Sequence, residues 1–383
     1  MEKLKLVTIL GTRPEIIRLS EILRKCDRYF QHVLVHTGQN WDDTLNKIFF
    51  EDLGLRPPDH MLEAVGEDLG DTIGRIIARS YAILSEIRPD ALLVLGDTNS
   101  ALSAIAAKRL KIPIFHMEAG NRCYDENLPE ETNRRIVDHI ADVNLCYSEQ
   151  ARRYLLAEGR PKERTFVVGS PMAEVIEANM ERINGSRVLE MLKEAGIAGA
   201  VPGGYILLSA HREENIDAEK PFLSLMSAVN AMAERWRMPV IYSTHPRSAK
   251  FIEGRQFAFH PQVYRCQPFS FTDYMHLQTH AFCVVSDSGT LPEEAAYCHF
   301  PAVSIRTSTE RPESLEKGNF VLGGITEEEV LQAVEMATAM KEARDEGESV
   351  PDYRGTNVSG KVVRIIQGYT RIVDRLVWRK QGG

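Results

Sequence analysis

Short apolar runs alternate with stretches of helical periodicity through most of the chain. The clearest run, Ala91–Leu95, ends in a Gly-Asp-Thr turn that contains Asp97. A helix is predicted for residues 100–110, and a second apolar run at residues 113–115 ends in His-Met-Glu, with Glu118 as the last of the three. This order predicts a right-handed βαβ crossover with two parallel strands. Asp97 and Glu118 should therefore follow the carboxyl ends of those strands.

The same alternation occurs in two series, which predicts two domains of the α/β class. The first domain is expected at residues 1–169 and the second at residues 170–360, and a helix within residues 361–383 is expected to pack back on the first domain. Each series predicts a Rossmann-like, doubly wound parallel sheet. The two sheets are expected to face a central cleft lined by strand carboxyl ends, a usual place for ligand sites.

Composition and charge narrow the classes of function. The 383 residues are 43% hydrophobic and 26% charged, and the formal net charge of −8 argues against binding to nucleic acid or to an anionic membrane. The first residues lack the apolar core of a signal peptide, and no apolar stretch reaches membrane-spanning length. The six cysteines show neither a CxxC pair nor zinc spacing. Reduced thiols, no metal and a cytoplasmic location are therefore expected.

Three carboxylates are the leading candidates for chemistry. Asp97 and Glu118 follow strand ends, where ligands of open α/β sheets bind, and Glu130 or Glu131 follows on a loop after a proline. Their convergence favours proton transfer or sugar binding over packing. A helix cap is the alternative for Asp97. Glu118 lies between an apolar run and Ala-Gly, where a cap is less needed.

The first predicted strand, at residues 5–10, ends in a glycine turn that opens a helix. Arg13 lies in this turn, and a cation beside the N–H groups of a helix start makes a plausible anion site. Thr12 and Glu15 have the spacing of a capping box. The turn is neither a GxGxxG sequence nor a P-loop, so a plain strand-to-helix turn is the alternative.

His211 follows the first strand of the second series. A histidine that is neutral near pH 7 can shuttle protons or donate a hydrogen bond to a phosphate. A surface histidine in a loop is the alternative, and His245 after the next strand has the same two interpretations.

A turn rich in hydroxyl groups and glycine precedes a predicted helix further along this series. Its residues Ser288, Gly289 and Thr290 could bind phosphate through backbone N–H groups. Glu294, one turn into the helix, could accept two ribose hydroxyls, and Arg311 could neutralise a diphosphate. For the acidic residues of this helix start, a favourable interaction with the helix dipole is the alternative.

Several motifs occur in a fixed order along almost the whole chain: GTRPEIIRLS, HTGQN, GDTNSALSAIAAKRLKIPIFHMEAGNR, PEETNR, SAHREENID, SDSGTLPEEAA and RTSTERPE. Together they resemble the non-hydrolysing UDP-N-acetylglucosamine 2-epimerases. The resemblance implies the GT-B architecture, with UDP bound mainly by the C-terminal domain. It also implies a UDP-sugar substrate, a homodimer, and no metal, nicotinamide or other cofactor for the chemistry.

Within this family the chain is most similar to a subgroup from capsule and O-antigen pathways. The similarity lies in SDSGTL, in NLPEETNR after HMEAGNRC, and in AHREENID. Those enzymes invert C2 of UDP-2-acetamido-2,6-dideoxy-L-talose to give UDP-N-acetyl-L-fucosamine. The glucosamine epimerases usually have two glycines after the serine of the DSG motif, where this chain has Gly289 and Thr290. This departure favours the 6-deoxy-L-sugar, with UDP-N-acetylglucosamine as the alternative substrate.

The resemblance also implies roles for particular residues. UDP leaves C1 as a proton leaves C2, and UDP then adds back as a proton reaches the other face, so an acid and a base must flank the ring. Asp97, Glu118 and Glu130 match the family's catalytic carboxylates, and His211 matches its histidine at the diphosphate. The basic first turn and the UDP site are matched by Arg13, Arg18, Ser288, Gly289, Glu294 and Arg311.

Other classes of protein compete with this interpretation. A GT-B glycosyltransferase would share the fold and the UDP site, but it needs one base at most. A hydrolysing epimerase would release UDP and free sugar. A UDP-sugar sensor without activity would leave the three carboxylates unexplained.

Overall fold

The computed structural model describes residues 2–38, 49–345 and 347–380. The chain forms two compact units, one of Met1–Ala178 with Pro351–Gly383 and the other of Asn179–Val350. The changes between units thus follow residues 178 and 350, whereas the sequence predicts boundaries after residues 169 and 360. Residues 39 and 40 of the HTGQN motif and residues 381–383 of the predicted C-terminal segment lie outside the described residues.

The described part of the first unit contains a parallel sheet. Its strands are β1 Lys5–Leu10, β2 Gln31–His36, β3 His60–Met61, β4 Ala91–Leu95, β5 Ile114–Met117, β6 Val143–Cys146 and β7 Thr165–Val167. Their order in the sheet is β3-β2-β1-β4-β5-β6-β7. The central strands are apolar runs, and every residue of β4 and β5 is buried. Such runs suit a parallel sheet that helices cover on both faces.

The second unit contains a second parallel sheet. Its strands are β8 Ile206–Ser209, β9 Val240–Ser243, β10 Val263–Cys266, β11 Cys283–Ser286, β12 Ala302–Ser304 and β13 Val321–Leu322. Their order is β10-β9-β8-β11-β12-β13. The strands β8, β9 and β11 are buried throughout. The short strands β3, β10 and β13 are not predicted from the sequence pattern.

Helices connect the strands, and local sequence sets several of their starts. The side chains of Asp68, Ser148 and Ser270 each accept a hydrogen bond from the N–H three residues later. The first unit has the helices Arg13–Tyr29, Leu69–Ile87, Ser103–Arg109, Pro129–Ile140, Glu149–Ala157, Met172–Ala178 and Val358–Leu376. The second has Met180–Asn184, Val188–Glu194, Glu213–Ile216, Glu219–Trp236, Pro246–Arg255, Phe271–His280, Leu291–Cys298, Pro312–Leu315 and Glu327–Glu342.

The last long helix, Val358–Leu376, packs against Arg13–Tyr29 in the first unit. Its start is held by the carboxylate of Glu174, which accepts hydrogen bonds from the backbone N–H of Ser359 at 2.8 Å and from its hydroxyl. Its buried residues recur at helical spacing, which gives the helix one apolar face. The helix Val358–Leu376 therefore belongs to the core of the first unit.

In both sheets the strand order reverses between two neighbouring strands. The reversal lies between β1 and β4 in the first sheet and between β8 and β11 in the second. Chain segments leave such strands toward opposite faces, which opens a crevice at their carboxyl ends. The turns there carry Arg13 and Asp97 in the first unit, and His211 and Ser288 in the second.

The loop after β5 follows a course that few residue types adopt. Glu118 and Gly120 both have left-handed backbone angles, with φ of 62° and 85°. A Cβ at Gly120 would lie 2.3 Å from the carbonyl oxygen of Ala151, on the helix Glu149–Ala157. The loop backbone therefore packs directly on that helix, and this contact sets where Glu118 leaves the sheet.

We expect Gly120→Ala to lower the free energy of unfolding by more than about 2 kcal/mol, because a clash adds to the strain of a left-handed alanine. Gly159→Ala is the matched control, since Gly159 also has a positive φ, of 78°, but a Cβ there has no described neighbour within 4 Å. The control should lose only about 1–2 kcal/mol. Urea unfolding measures both, and equal losses would contradict the close packing at Gly120.

Candidate active site

Glu118 and Arg18 form a buried ion pair just beyond the carboxyl end of β5. The Arg18 guanidinium donates to Glu118 Oε2, and the side-chain amide of Asn121 donates to Oε1 at 3.2 Å. The two charged side chains are only 9% and 6% exposed. Because bulk water does not solvate these buried side chains, each charge is stabilised mainly by the other. The structure thus brings together two of the predicted site residues.

A second buried network braces the same loop. His116 on β5 has Nδ1 3.0 Å from Asp138 Oδ1 and Nε2 2.8 Å from the carbonyl oxygen of Gly96. The Asp138 carboxylate also accepts hydrogen bonds from Arg122 at 2.7 Å and from the Gly120 N–H at 3.2 Å. Burial alone would raise the pKa of Asp138, but His116 and Arg122 outweigh it and hold that pKa below its ordinary value. The ionised Asp138 therefore ties the loop after β5 to the helix Pro129–Ile140, and His116 links this network to Gly96 after β4.

Asp97 follows β4 and is held by Arg134. The Nε and Nη2 atoms of Arg134 lie 2.9 and 2.5 Å from Asp97 Oδ2. The amide of Asn133 donates to the Asp97 carbonyl oxygen at 2.9 Å. The short helical turn Asn99–Leu102 begins directly after Thr98, so Thr98 and not Asp97 occupies its N-cap position. The Asp97 side chain is 20% exposed, and no side chain or backbone group in the described ranges donates to its Oδ1.

The two glutamates in the first turn of the helix Pro129–Ile140 have different surroundings. Glu131 is buried, and its Oε2 accepts hydrogen bonds from the Cys123 N–H at 3.2 Å and from Arg134 at 3.1 Å. Its Oε1 accepts from Arg135 at 3.2 Å. Glu130 is partly exposed. Of the two residues that the sequence offers, Glu130 is therefore the better placed to meet a substrate.

Arg13 is the first residue of the helix that follows β1. Its guanidinium lies over the ring of Phe49, 5.3 Å from the ring centroid. This cation–π contact helps to orient the guanidinium at the helix start. The position fits the predicted anion site at the helix start.

Glu15, two residues later, is fully buried and forms no ion pair with any described residue. It accepts hydrogen bonds from the Gly11 N–H and from the hydroxyls of Thr12, Thr98 and Ser100. The predicted capping box is not formed, because the Thr12 hydroxyl donates to Glu15 and accepts nothing from the helix. Burial raises the pKa of Glu15 from 4.5 to about 7, although these hydrogen bonds oppose the change.

In the second unit, His211 after β8 lies beside Asp287 after β11. His211 Nδ1 is 3.1 Å from Asp287 Oδ1, and the backbone N–H groups of His211 and Arg212 donate to Oδ2 at 2.8 and 2.9 Å. The amide of Asn215 donates to the same oxygen at 3.1 Å. Burial would raise the pKa of Asp287, but His211 and the backbone donors hold it well below its ordinary value. A carboxylate at Nδ1 fixes the orientation of the imidazole.

The turn before the helix Leu291–Cys298 is organised by hydroxyl groups. Ser288 Oγ lies 3.0 Å from Thr290 Oγ1, and the Ser288 N–H donates to the Ser286 hydroxyl at 3.0 Å. Gly289 lies between the two hydroxyl residues, and Thr290 has ordinary right-handed backbone angles. A threonine is thus accommodated without strain at this position. Two hydroxyls at a helix start form a polar surface suited to phosphate oxygens.

Glu294 and Arg311 are buried against polar neighbours. The amide of Gln278 donates to Glu294 Oε2 at 2.7 Å. The Nε and Nη2 atoms of Arg311 lie 2.8 and 2.7 Å from Glu293 Oε1. The two glutamates therefore do more than complement the helix dipole, and Arg311 shares its charge with Glu293.

Predicted site residues thus converge within each unit, at the carboxyl ends of its central strands. Two further residues of the site, Arg134 and Asp287, are not predicted from the sequence, although both lie inside the motifs PEETNR and SDSGTL. Among the described residues, no group of three His, Cys, Asp or Glu side chains is placed to hold a metal ion. In the same ranges, no helix has the length and apolar character needed to cross a membrane.

Comparison with known proteins identifies a family that matches this chain. The sequence profile of the family described as UDP-N-acetylglucosamine 2-epimerase matches residues 24–367. The chain belongs to this family. Its structure is similar to that of UDP-N-acetylglucosamine 2-epimerase from Rickettsia bellii, with a TM-score of 0.88 and 43% identity over 99% of this chain and 100% of the other.

Two further proteins similar to this epimerase differ in the substrates that their names give. One is the UDP-GlcNAc 2-epimerase of Methanocaldococcus jannaschii in complex with UDP-GlcNAc and UDP, with a TM-score of 0.88, 30% identity and coverage of 95% and 99% of the two chains. The other is a Pseudomonas aeruginosa protein named UDP-2,3-diacetamido-2,3-dideoxy-D-glucuronate 2-epimerase. It is 29% identical over 366 residues, which cover 95% of this chain and 99% of that protein.

These likenesses confirm two predictions. The fold class is α/β with the GT-B architecture, built from two Rossmann-like parallel-sheet units. The protein is an enzyme of the epimerase type, which places it among the isomerases.

The raised pKa of Glu15 predicts a pH dependence of stability. In the unfolded chain this carboxyl loses its proton near 4.5, and in the folded protein near 7, so the folded state binds the proton more tightly. The stability that Glu15 contributes is therefore present below pH 4.5 and lost as the pH rises through 7, a change of up to about 3 kcal/mol.

Glu15→Gln removes this titration. Urea unfolding between pH 5 and 8 should show that the stability of the wild type relative to Glu15→Gln falls as the pH rises to about 7 and is constant above it. Glu163→Gln, at an exposed position of the same unit, should follow the wild type at every pH. A constant difference between wild type and Glu15→Gln would show that Glu15 titrates at its ordinary pKa.

Proposed function

We propose that the protein is a non-hydrolysing UDP-N-acetyl-sugar 2-epimerase that eliminates UDP and then adds it back. The observation that carries the proposal is a pair of carboxylates, Asp97 and Glu118, which follow the neighbouring strands β4 and β5. Each is held by a buried arginine. Inversion at C2 needs titratable groups that are fixed on the sugar ring.

The proposed reaction conserves all atoms and involves no net oxidation or reduction. The bond between C1 and the UDP oxygen breaks, and its electron pair leaves with the diphosphate. A carboxylate takes the proton from C2, and the electrons of that C–H bond form the C1–C2 double bond of a 2-acetamidoglycal. In the return step the double bond takes a proton on the opposite face of C2, and the UDP oxygen bonds to C1 again.

Asp97, Glu118 and Glu130 are the proposed acid and base groups. Asp97 is well suited to proton exchange, because Arg134 holds Oδ2 and the side chain is partly exposed. Glu118 is fixed more firmly, by Arg18 and by Asn121. The positive charge of Arg18 beside Glu118 would also stabilise an anionic leaving group.

The second unit is proposed to bind UDP. His211, oriented by Asp287, would donate a hydrogen bond to the departing diphosphate. The turn of Ser288, Gly289 and Thr290 offers hydroxyl groups to phosphate. Glu294 is proposed for the ribose hydroxyls, and Gln278 orients its carboxylate. Arg311 is the basic group proposed for the diphosphate in this unit, and Arg13 is proposed as an anion-binding group of the first unit.

For the sugar, we infer UDP-2-acetamido-2,6-dideoxy-L-talose, converted to UDP-N-acetyl-L-fucosamine. Gly289-Thr290 and the HMEAGNRC and NLPEETNR segments support this choice. UDP-N-acetylglucosamine is the alternative, supported by the names of the Rickettsia bellii and Methanocaldococcus jannaschii relatives. The Pseudomonas aeruginosa relative is named for a third sugar, so this family divides by substrate. A homodimer, a cytoplasmic location and a role in capsule or O-antigen synthesis are proposed on the same resemblance.

Incubation with each candidate UDP-sugar in D2O tests the reaction and the substrate together. NMR should show deuterium at C2 of UDP-N-acetyl-L-fucosamine, because the proton delivered to C2 comes from a group that exchanges with solvent. UDP-N-acetylglucosamine should react poorly, since a pocket shaped for a methyl group disfavours an added hydroxyl by roughly 10²-fold and the L-configuration changes the ring further. Reaction of UDP-N-acetylglucosamine alone would reverse the substrate choice.

Sugar transfer to an acceptor, without deuterium at C2, would support a glycosyltransferase instead. Release of free sugar and UDP would support a hydrolysing epimerase. Neither outcome is expected for a carboxylate pair that exchanges protons with C2.

Asp97→Asn, Glu118→Gln and Glu130→Gln should each lower the epimerisation rate by about 10²–10⁴-fold while UDP still binds, because each removes one proton-transfer group. Glu126→Gln is the matched control, since Glu126 lies in the same loop region with its side chain 78% exposed. Turnover measured by NMR and UDP affinity measured by calorimetry separate chemistry from binding. Wild-type turnover in all three variants would contradict the assignment.

A further inference from the structure

Glu15 joins the turn after β1 to the turn after β4. From the first turn it accepts the Gly11 N–H at 3.1 Å and the Thr12 hydroxyl at 2.8 Å. From the second it accepts the Thr98 hydroxyl at 3.1 Å and the Ser100 hydroxyl. One buried carboxylate thus gathers four neutral donors from two separate segments of the chain.

The backbone ladder does not extend to these turns. β1 and β4 are paired from Leu6 with Ala91 to Thr8 with Leu93, and both strands continue for two further residues. Beyond the ladder, the side chain of Glu15 supplies the connection that backbone hydrogen bonds make inside the sheet. The fully buried position lets these bonds act without competition from water.

We propose that Glu15 is a positioning residue that fixes Asp97 for proton transfer, acting through the hydroxyls of Thr98 and Ser100. This inference rests on the proposed function, in which Asp97 exchanges a proton with C2 of the sugar. Thr98 directly follows Asp97, so an anchor on Thr98 restrains the Asp97 backbone. Arg134 restrains the Asp97 carboxylate from the helix Pro129–Ile140. The two contacts together set the position of the carboxylate.

Glu15→Gln is the central test, because it keeps the volume of the side chain but replaces an acceptor oxygen with an amide donor. A small displacement of a catalytic group costs rate in the chemical step, so kcat should fall by about 10- to 100-fold. KM for the UDP-sugar should change by less than about threefold, because binding is unaffected.

A double-mutant comparison separates positioning from general support of the fold. In an Asp97→Asn background, Glu15→Gln should cause no further loss of kcat, because the group that it positions is already absent. Losses that multiply in the double variant would overturn the inference, as would an unchanged kcat in Glu15→Gln alone. Thermal unfolding of each variant verifies that it is folded.

Ser100→Ala keeps the inference testable if Glu15→Gln does not fold. It removes one of the four donors, so a smaller loss of kcat is expected, which should again vanish in the Asp97→Asn background. If Ser100→Ala still lowers kcat in the Asp97→Asn background, the inference is overturned. Wild-type protein that exchanges no C2 proton with any UDP-N-acetyl sugar would overturn the proposed function and this inference together. Wild-type exchange with an unaffected Glu15→Gln rate overturns only the positioning role.

Discussion

Parallel pairing of β1 with β4 is the constraint on which the first unit depends. Each strand is apolar and almost wholly buried, and a sheet covered on both faces leaves no room for charged side chains along its strands. Polar chemistry is therefore confined to the points where strands end. The reversal of strand order between β1 and β4 opens a crevice at those ends. β8 and β11 impose the same arrangement on the second unit.

Buried ion pairs then hold the loops that extend beyond the strand ends. Removing either partner of such a pair leaves an uncompensated charge in a poorly solvated place, which costs about 3–5 kcal/mol. The buried pair of Arg18 with Glu118 therefore locks a loop onto a helix, while buried Arg134 orients the partly exposed carboxylate of Asp97. In the second unit, Asp287 holds both the backbone after β8 and the partly exposed His211 ring.

The sequence predicts elements that contain long apolar runs, and it predicts the residues that follow them. It does not predict β3, β10 or β13, because these strands are two to four residues long and contain no fully buried run. Within the site, Asp97 and Glu118 follow their strands as expected, but Arg134 reaches Asp97 across 37 positions in the chain. Spacing alone predicts a local cap for Glu15, whereas tertiary contact with Thr98 decides its role. Side-chain pairing between distant segments is the part that a local pattern does not contain.

Hydrogen bonding separates a carboxylate with both oxygens engaged from one with an oxygen to which no described group donates. Both oxygens of Glu131 accept hydrogen bonds, from Cys123, Arg134 and Arg135. Glu131 therefore braces the loop of Cys123 against the helix Pro129–Ile140. At Asp97, Arg134 bonds only Oδ2, and in the described ranges nothing donates to Oδ1. A ligand can therefore approach Oδ1 while Arg134 holds the carboxylate in place, and this is the geometry required of the base proposed for inversion at C2.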